Sequence, residues 1–181
     1  MVIGATSSKP VEGATADALK AAWEASQVAM RSIKPTLKNF SITDIVQTIS
    51  KDHGCVPVEG MLSCTHEQNV TDGKKRIILN PAPEQRRDHE TETFEEGEVW
   101  GIDVLITSGS DGKAKTEESR TTIYKRDPKV NYQLKMQTSR KVFSEIQKKA
   151  GAFPFTLRTL EDEKRARMGV QEAVQHGEFR A

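Results

Sequence analysis

The sequence is poor in several residue types, and each shortage narrows the reading. Its 181 residues hold two cysteines, two tryptophans and two tyrosines. Cys55 and Cys64 lack metal-type spacing, and one pair of thiols does not make a disulfide framework. Two reduced thiols, as in a cytosolic protein, are the expected state. There is no apolar run of about 18 residues, so no membrane-spanning helix is expected. No charged leader followed by an apolar stretch opens the chain, so no secretory signal is expected either. None of His53, His66, His89 and His176 has another histidine three or four positions away, and surface or capping roles suit them. Ser63 lies near His66, but no Gly-x-Ser-x-Gly elbow surrounds it, so a nucleophile is not expected. With 35% hydrophobic residues and a mean hydropathy of −0.61, the chain builds a lean core.

What is present is organised around Gly97 to Gly109. Val99, Trp100, Ile102, Val104, Leu105 and Ile106 occupy both parities, the pattern of a central strand covered on both faces. Asp103 sits in its middle, and a buried carboxylate needs a partner. Before it, helices are expected from Thr15 to Ile33 and from Ser41 to Gly54. The first carries Leu19, Ala22, Trp23, Ser26, Met30 and Ile33 on its core face. The second carries Ile42, Ile45, Val46 and Ile49. Short strands are expected at Cys55 to Val58 and Lys74 to Leu79, with a turn at Glu59-Gly60 leading into a small-polar stretch from Met61 to Glu67 between them. Pro81 to Glu96 reads as a loop or a surface turn of helix. Arg120 to Tyr124 reads as a strand pairing with the central one. Ser139 is expected to cap a helix to Ala150. Thr159 is expected to cap another to Gly177, with Gly169 marking a break because glycine costs about 1 kcal/mol in a helix interior.

A net charge of +1 hides an uneven distribution. Between Pro81 and Asp103, eight acids face only Arg86 and Arg87. Between Lys113 and Lys149, eleven bases face four acids. A block this basic points to an anionic partner, or else to a solvated face. Its members Lys113, Lys115, Arg120, Lys125, Arg126, Lys129, Lys135, Arg140 and Lys141 surround a strand, a turn and a helix N-terminus whose dipole favours phosphate. Tyr124 and Tyr132 interleave and suit base stacking. Backbone contact with structured RNA fits this arrangement better than base-specific reading.

Several segments together resemble a known family. Val58-Glu-Gly-Met-Leu-Ser63, Arg120-Thr-Thr-Ile-Tyr-Lys-Arg-Asp-Pro128, Leu134-Lys-Met136 with Thr138-Ser-Arg140, Pro154-Phe-Thr-Leu-Arg158 and Glu161-Asp-Glu-Lys164 with Ala166-Arg-Met-Gly-Val170 resemble the proliferation-associated, ErbB-receptor-binding proteins, described in fission yeast as a curved-DNA-binding protein. The likeness runs from Gly4 to about His176. It implies an α/β (α+β) fold: part of the pita-bread fold shared with type 2 methionine aminopeptidases. Residues 1–120 would be the central part of that domain, 121–177 a helical insert subdomain and 178–181 a truncated tail. The first half of the domain, its last strands and the lysine-rich tail of animal members would lie outside the chain.

In the peptidases, two Asp, one His and two Glu hold two metal ions. The resemblance places Asp103 in the slot of the first Glu and Ser63 in that of the His, with the other three ligands outside the chain. Serine is a poor ligand for a transition metal. The resemblance therefore implies degenerate metal slots, no cofactor and no peptidase activity. It implies a non-catalytic, cytoplasmic and nuclear or nucleolar protein. Its role would be to bind ribosomes, structured RNA and protein partners in growth regulation and ribosome biogenesis. A metal-dependent methionine aminopeptidase and a DNA-binding transcriptional regulator are the alternatives.

Overall fold

The computed structural model describes residues 4–115, 118 and 123–180. These form two compact units, one of residues 4–67 and 71–115, the other of 68–70, 118 and 123–180. Among the described residues no helix is long and apolar enough to cross a membrane.

The first unit opens with two packed helices, α1 (Ala14–Ser32) and α2 (Asn39–Asp52). Gly13 supplies the left-handed turn, φ 64°, from which α1 starts. The face that α1 buries is not the expected one. Ala21, Ala25 and Ala29, four residues apart, are fully buried, whereas Leu19, Trp23 and Met30 are 41%, 68% and 49% exposed. Two stripes of α1 satisfy helical spacing. The alanine stripe wins because short side chains let the backbones of α1 and α2 approach closely. In α2 the expected stripe is the observed one: Ile42 and Val46 are buried, with Ile45 and Ile49 packed beside them. The helix begins at Asn39, two residues before the expected cap. The Asn39 amide donates to the carbonyls of Arg76 (2.8 Å) and Glu90 (3.0 Å), and the Thr43 hydroxyl donates to that of Ile78 (2.8 Å). These bonds fix α2 over the sheet.

The strands of this unit are β1 (Val56–Pro57), β2 (Leu62–His66) and β3 (Arg76–Ile78), then, after the short helix α3 (Pro83–Asp88), β4 (Val99–Gly101) and β5 (Ile106–Thr107). They pair antiparallel as β3-β2-β4 and β1-β5. Two expectations are corrected here. The Met61 to Glu67 stretch, read as small-polar with no strand, contains the middle strand β2. Its core-facing positions are Ser63 and Thr65, so its alternation carries no hydrophobic signal. Gly97 to Gly109 is not one central strand. Its first part, β4, is an edge paired to β2; its second, β5, leaves that sheet and pairs with β1. At the break Asp103 is exposed, so the buried acid expected there is absent. Ile77, Leu79, Phe94 and the alanine face of α1 form the core, with Phe94 edge-on to Trp100 at 5.0 Å.

The second unit contains β6 (Ile123–Arg126), α4 (Gln137–Lys149), β7 (Phe155–Thr156), a 3-10 turn (Leu157–Thr159), α5 (Glu163–Gln175) and β8 (Phe179–Arg180). A three-stranded antiparallel sheet, β7-β6-β8, thus joins the two expected helices. The partners of β6 are β7 and β8, not the Gly97–Gly109 segment; Arg120 to Thr122, the first part of that expected strand, lies outside the described residues. Ser139 lies inside α4 and is buried. Asp162, not Thr159, caps α5, accepting the Arg165 N–H at 3.0 Å. Gly169 marks no break. A Cβ there would stand 2.7 Å from Val142 Cγ2, so glycine permits the close crossing of α4 and α5. Val142, Ile146, Val170, Ala173, Phe155 and Phe179 fill the core beneath.

Candidate nucleic-acid interface

The basic segment after β6 is held from below by carboxylates. Asp127 Oδ1 accepts the N–H of Lys129 at 3.0 Å, while its other oxygen pairs with Arg180. Glu178 Oε1 accepts the N–H of Tyr132 at 3.1 Å. The two oxygens of Glu172 accept the N–H groups of Lys135 (2.7 Å) and Met136 (3.2 Å). All three acids are buried. The Lys135 N–H, chief among its donors, holds the Glu172 carboxyl below the usual glutamate range, against the opposing effect of burial. With its amides bound inward, this segment leaves the side chains of Lys129 and Lys135 exposed, followed by Arg140 and Lys141 on α4. The N-terminal end of α4, expected to attract phosphate, already faces Glu172.

The other candidates divide. Lys113 and Lys115 are exposed but belong to the first unit. Arg120 lies outside the described residues. In β6 Tyr124 is buried, and Lys125 and Arg126 are both half-buried. The Arg126 guanidinium sits 5.0 Å over the Phe143 ring, so part of its charge is engaged in a cation–π contact. Neither tyrosine is placed to stack on a base. Tyr124 is buried and stacks on Phe155 at 6.0 Å; Tyr132 stacks on His176 at 3.7 Å. Core packing, which spacing alone does not reveal, accounts for both. The clamping acids Asp127, Glu172 and Glu178 were not legible as such, because their partners are main-chain amides with no sequence signature.

Ser63 and Asp103, the two positions compared with metal ligands, are adjacent. The Ser63 hydroxyl accepts the Asp103 N–H at 2.9 Å and donates to the Asp103 carbonyl at 3.3 Å. The contact is therefore with the backbone of Asp103, while the residue itself is exposed. Among the described residues no three His, Cys, Asp or Glu side chains converge on a metal-sized site. A hydroxyl already bonded twice and one exposed carboxylate do not fit a two-metal centre.

Helices laid on antiparallel sheets, with this order of elements, define a mixed α/β protein of the pita-bread-like class. The solved structure of a thermophilic Arx1 matches with a TM-score of 0.79 at 36% identity, covering 94% of this chain and 50% of that one. No family model matches the chain. The curved DNA-binding protein of Schizosaccharomyces pombe is 48% identical over 170 residues, 94% of this chain and 44% of that protein. ErbB-3 binding protein 1 of Arabidopsis thaliana is 46% identical over 169 residues, 93% of this chain and 42% of that protein. Over more than nine-tenths of its length the chain is similar to the curved DNA-binding, ErbB-3-binding and proliferation-associated proteins. It spans less than half the length of these two relatives.

Proposed function

We propose that this chain is a non-catalytic, aminopeptidase-like protein that binds ribosomes or other structured RNA, together with protein partners, in growth regulation and ribosome biogenesis. Its places of work are the cytoplasm and the nucleus or nucleolus. The observation that carries the reading is the clamped basic segment: Lys129 and Lys135 project from a main chain fixed by buried Asp127, Glu178 and Glu172. Cations carried on a fixed main chain contact a phosphate backbone with less ordering cost than cations on a mobile one. Lys113, Lys115, Arg120, Lys125, Arg126, Arg140 and Lys141 are the further contacts proposed. The engaged hydroxyl of Ser63 and the exposed Asp103 support the non-catalytic reading.

Binding of the chain to a structured RNA across a salt series tests this. Reversal of Lys129 and Lys135 to glutamate is expected to weaken binding and to reduce the slope of log K against log salt by at least about 1.4, since each phosphate contact contributes about 0.7–0.9. An unchanged affinity and slope would remove this segment from the interface. The name of the Schizosaccharomyces pombe relative favours one second reading, binding of curved DNA through the same surface. Competition between duplex DNA and structured RNA separates the two.

A further inference from the structure

Farther along α4 lies a feature that shares only Lys141 with the contacts proposed above. A shallow groove of about 320 Å³ runs between α4 and the stretch leading from Glu161 into α5. Four cations line it, Lys141, Lys148 and Lys149 from α4 and Arg165 from α5, against two carboxylates, Glu145 and Glu161. These charges are not equivalent. Glu145 is committed: its Oε1 accepts from Lys149 Nζ at 2.8 Å and from the Glu161 N–H at 2.7 Å. Those two donors, the lysine first, keep its carboxyl below the usual glutamate range. Lys149 is committed in turn, also donating to the Thr159 carbonyl at 3.2 Å. Glu145 and Lys149 therefore neutralise each other and tie α4 to the entry of α5. Arg165 adds only a weaker attraction to Glu145. Among the described residues Lys141, Lys148 and Arg165 form no ion pair, and all three are exposed.

We infer that this groove holds consecutive phosphates of a polynucleotide backbone, with Lys148 and Arg165 gripping from its two walls and Lys141 extending the track along α4. A concave site lined mainly by one sign of charge focuses its field on an anion, which a flat lysine-bearing helix face does not do. The Arg165 guanidinium offers a planar fork that matches phosphate oxygens, and Lys148 offers a point charge opposite it. Lys141 and Lys148 stand seven residues apart, roughly 10 Å along the helix. That is too far for one phosphate and suits a chain of them. This assignment rests on the RNA-binding reading above and adds a second contact surface to it.

The test uses the full chain, a structured RNA and a salt series. The double variant Lys148→Gln, Arg165→Gln is expected to lower the salt slope by about 1.4–1.8. In parallel, the unmodified chain is acetylated with and without RNA. Lys148 is expected to be protected by the RNA, and this readout stands even if the variant does not fold. A steep wild-type slope that the variant retains, with Lys148 acetylated equally in both states, would overturn the groove and leave the RNA reading standing. No binding by the wild-type chain at any salt concentration would overturn both.

Discussion

The hydroxyl of Ser63 bridges the two main-chain polar groups of Asp103, accepting its N–H at 2.9 Å and donating to its C=O at 3.3 Å. It does so where the ladder is interrupted, between the Val99–Gly101 strand and the Ile106–Thr107 strand. A side chain thus replaces the strand partner that Asp103 lacks.

Removing that bridge is expected to be costly at one of the two residues only. Ser63→Ala leaves the Asp103 amide without this partner and should destabilise the chain by about 1–3 kcal/mol. Asp103→Asn alters an exposed side chain and should stay within about 0.5 kcal/mol. Urea unfolding of both variants checks this, and a large loss in Asp103→Asn would contradict the exposed placement.

The packing face of α1 gives a similar contrast. Ala25 is fully buried, so Ala25→Leu overfills the α1–α2 contact and should cost about 1–3 kcal/mol. Trp23 is 68% exposed, and Trp23→Ser should change stability by no more than about 0.5 kcal/mol. The opposite ranking in thermal or urea unfolding would return Trp23 to the core.

Gly169→Ala should destabilise the second unit even though alanine is the better helix former by about 1 kcal/mol. The added methyl would meet Val142 Cγ2 at 2.7 Å and Cβ at 2.8 Å. Val142→Ala in the same chain should recover part of the loss, giving a coupling of at least about 0.5 kcal/mol in a double-mutant cycle. Additive effects would mean that the two positions do not touch.

Acid should loosen the clamped segment. The Glu172 carboxyl is held low in the folded chain by the Lys135 N–H first. Its contribution is therefore present above the unfolded glutamate pKa, about 4.3, and is lost as pH falls through the lower folded value. Glu172→Gln should be less stable than wild type at pH 7, and the difference should shrink below about pH 4. Thermal unfolding of both proteins across pH checks the sign; a gap that widens on acidification would be inconsistent with it.

Some of this was readable in advance. The α2 stripe of Ile42, Ile45, Val46 and Ile49 was, because large aliphatic residues at 3.6-residue spacing leave one solution. The α1 face was not: Leu19, Trp23 and Met30 have the same periodicity as the alanines, and only the partner helix decides between them. The middle strand was hidden because Ser63 and Thr65 occupy its buried positions. The lysines of the basic block were visible as charge, but the tyrosines among them belong to the second unit's packing. Arg165 lies beyond the basic block of Lys113 to Lys149, and α4 and α5 bring it opposite Lys148 across the groove.

The order of strands in the second unit also sets a schedule. Both neighbours of the Ile123–Arg126 strand come later in the chain, and 53 residues separate Asp127 from its ion-pair partner Arg180. During synthesis at about 5–20 residues per second, that strand waits roughly 3–10 s before its last partner has been made. Until then the edge of that strand opposite Phe155–Thr156 is unpaired, and Asp127 lacks its ion-pair partner. A nascent chain therefore passes through an interval in which one edge of this sheet is exposed to chaperones and to mispairing.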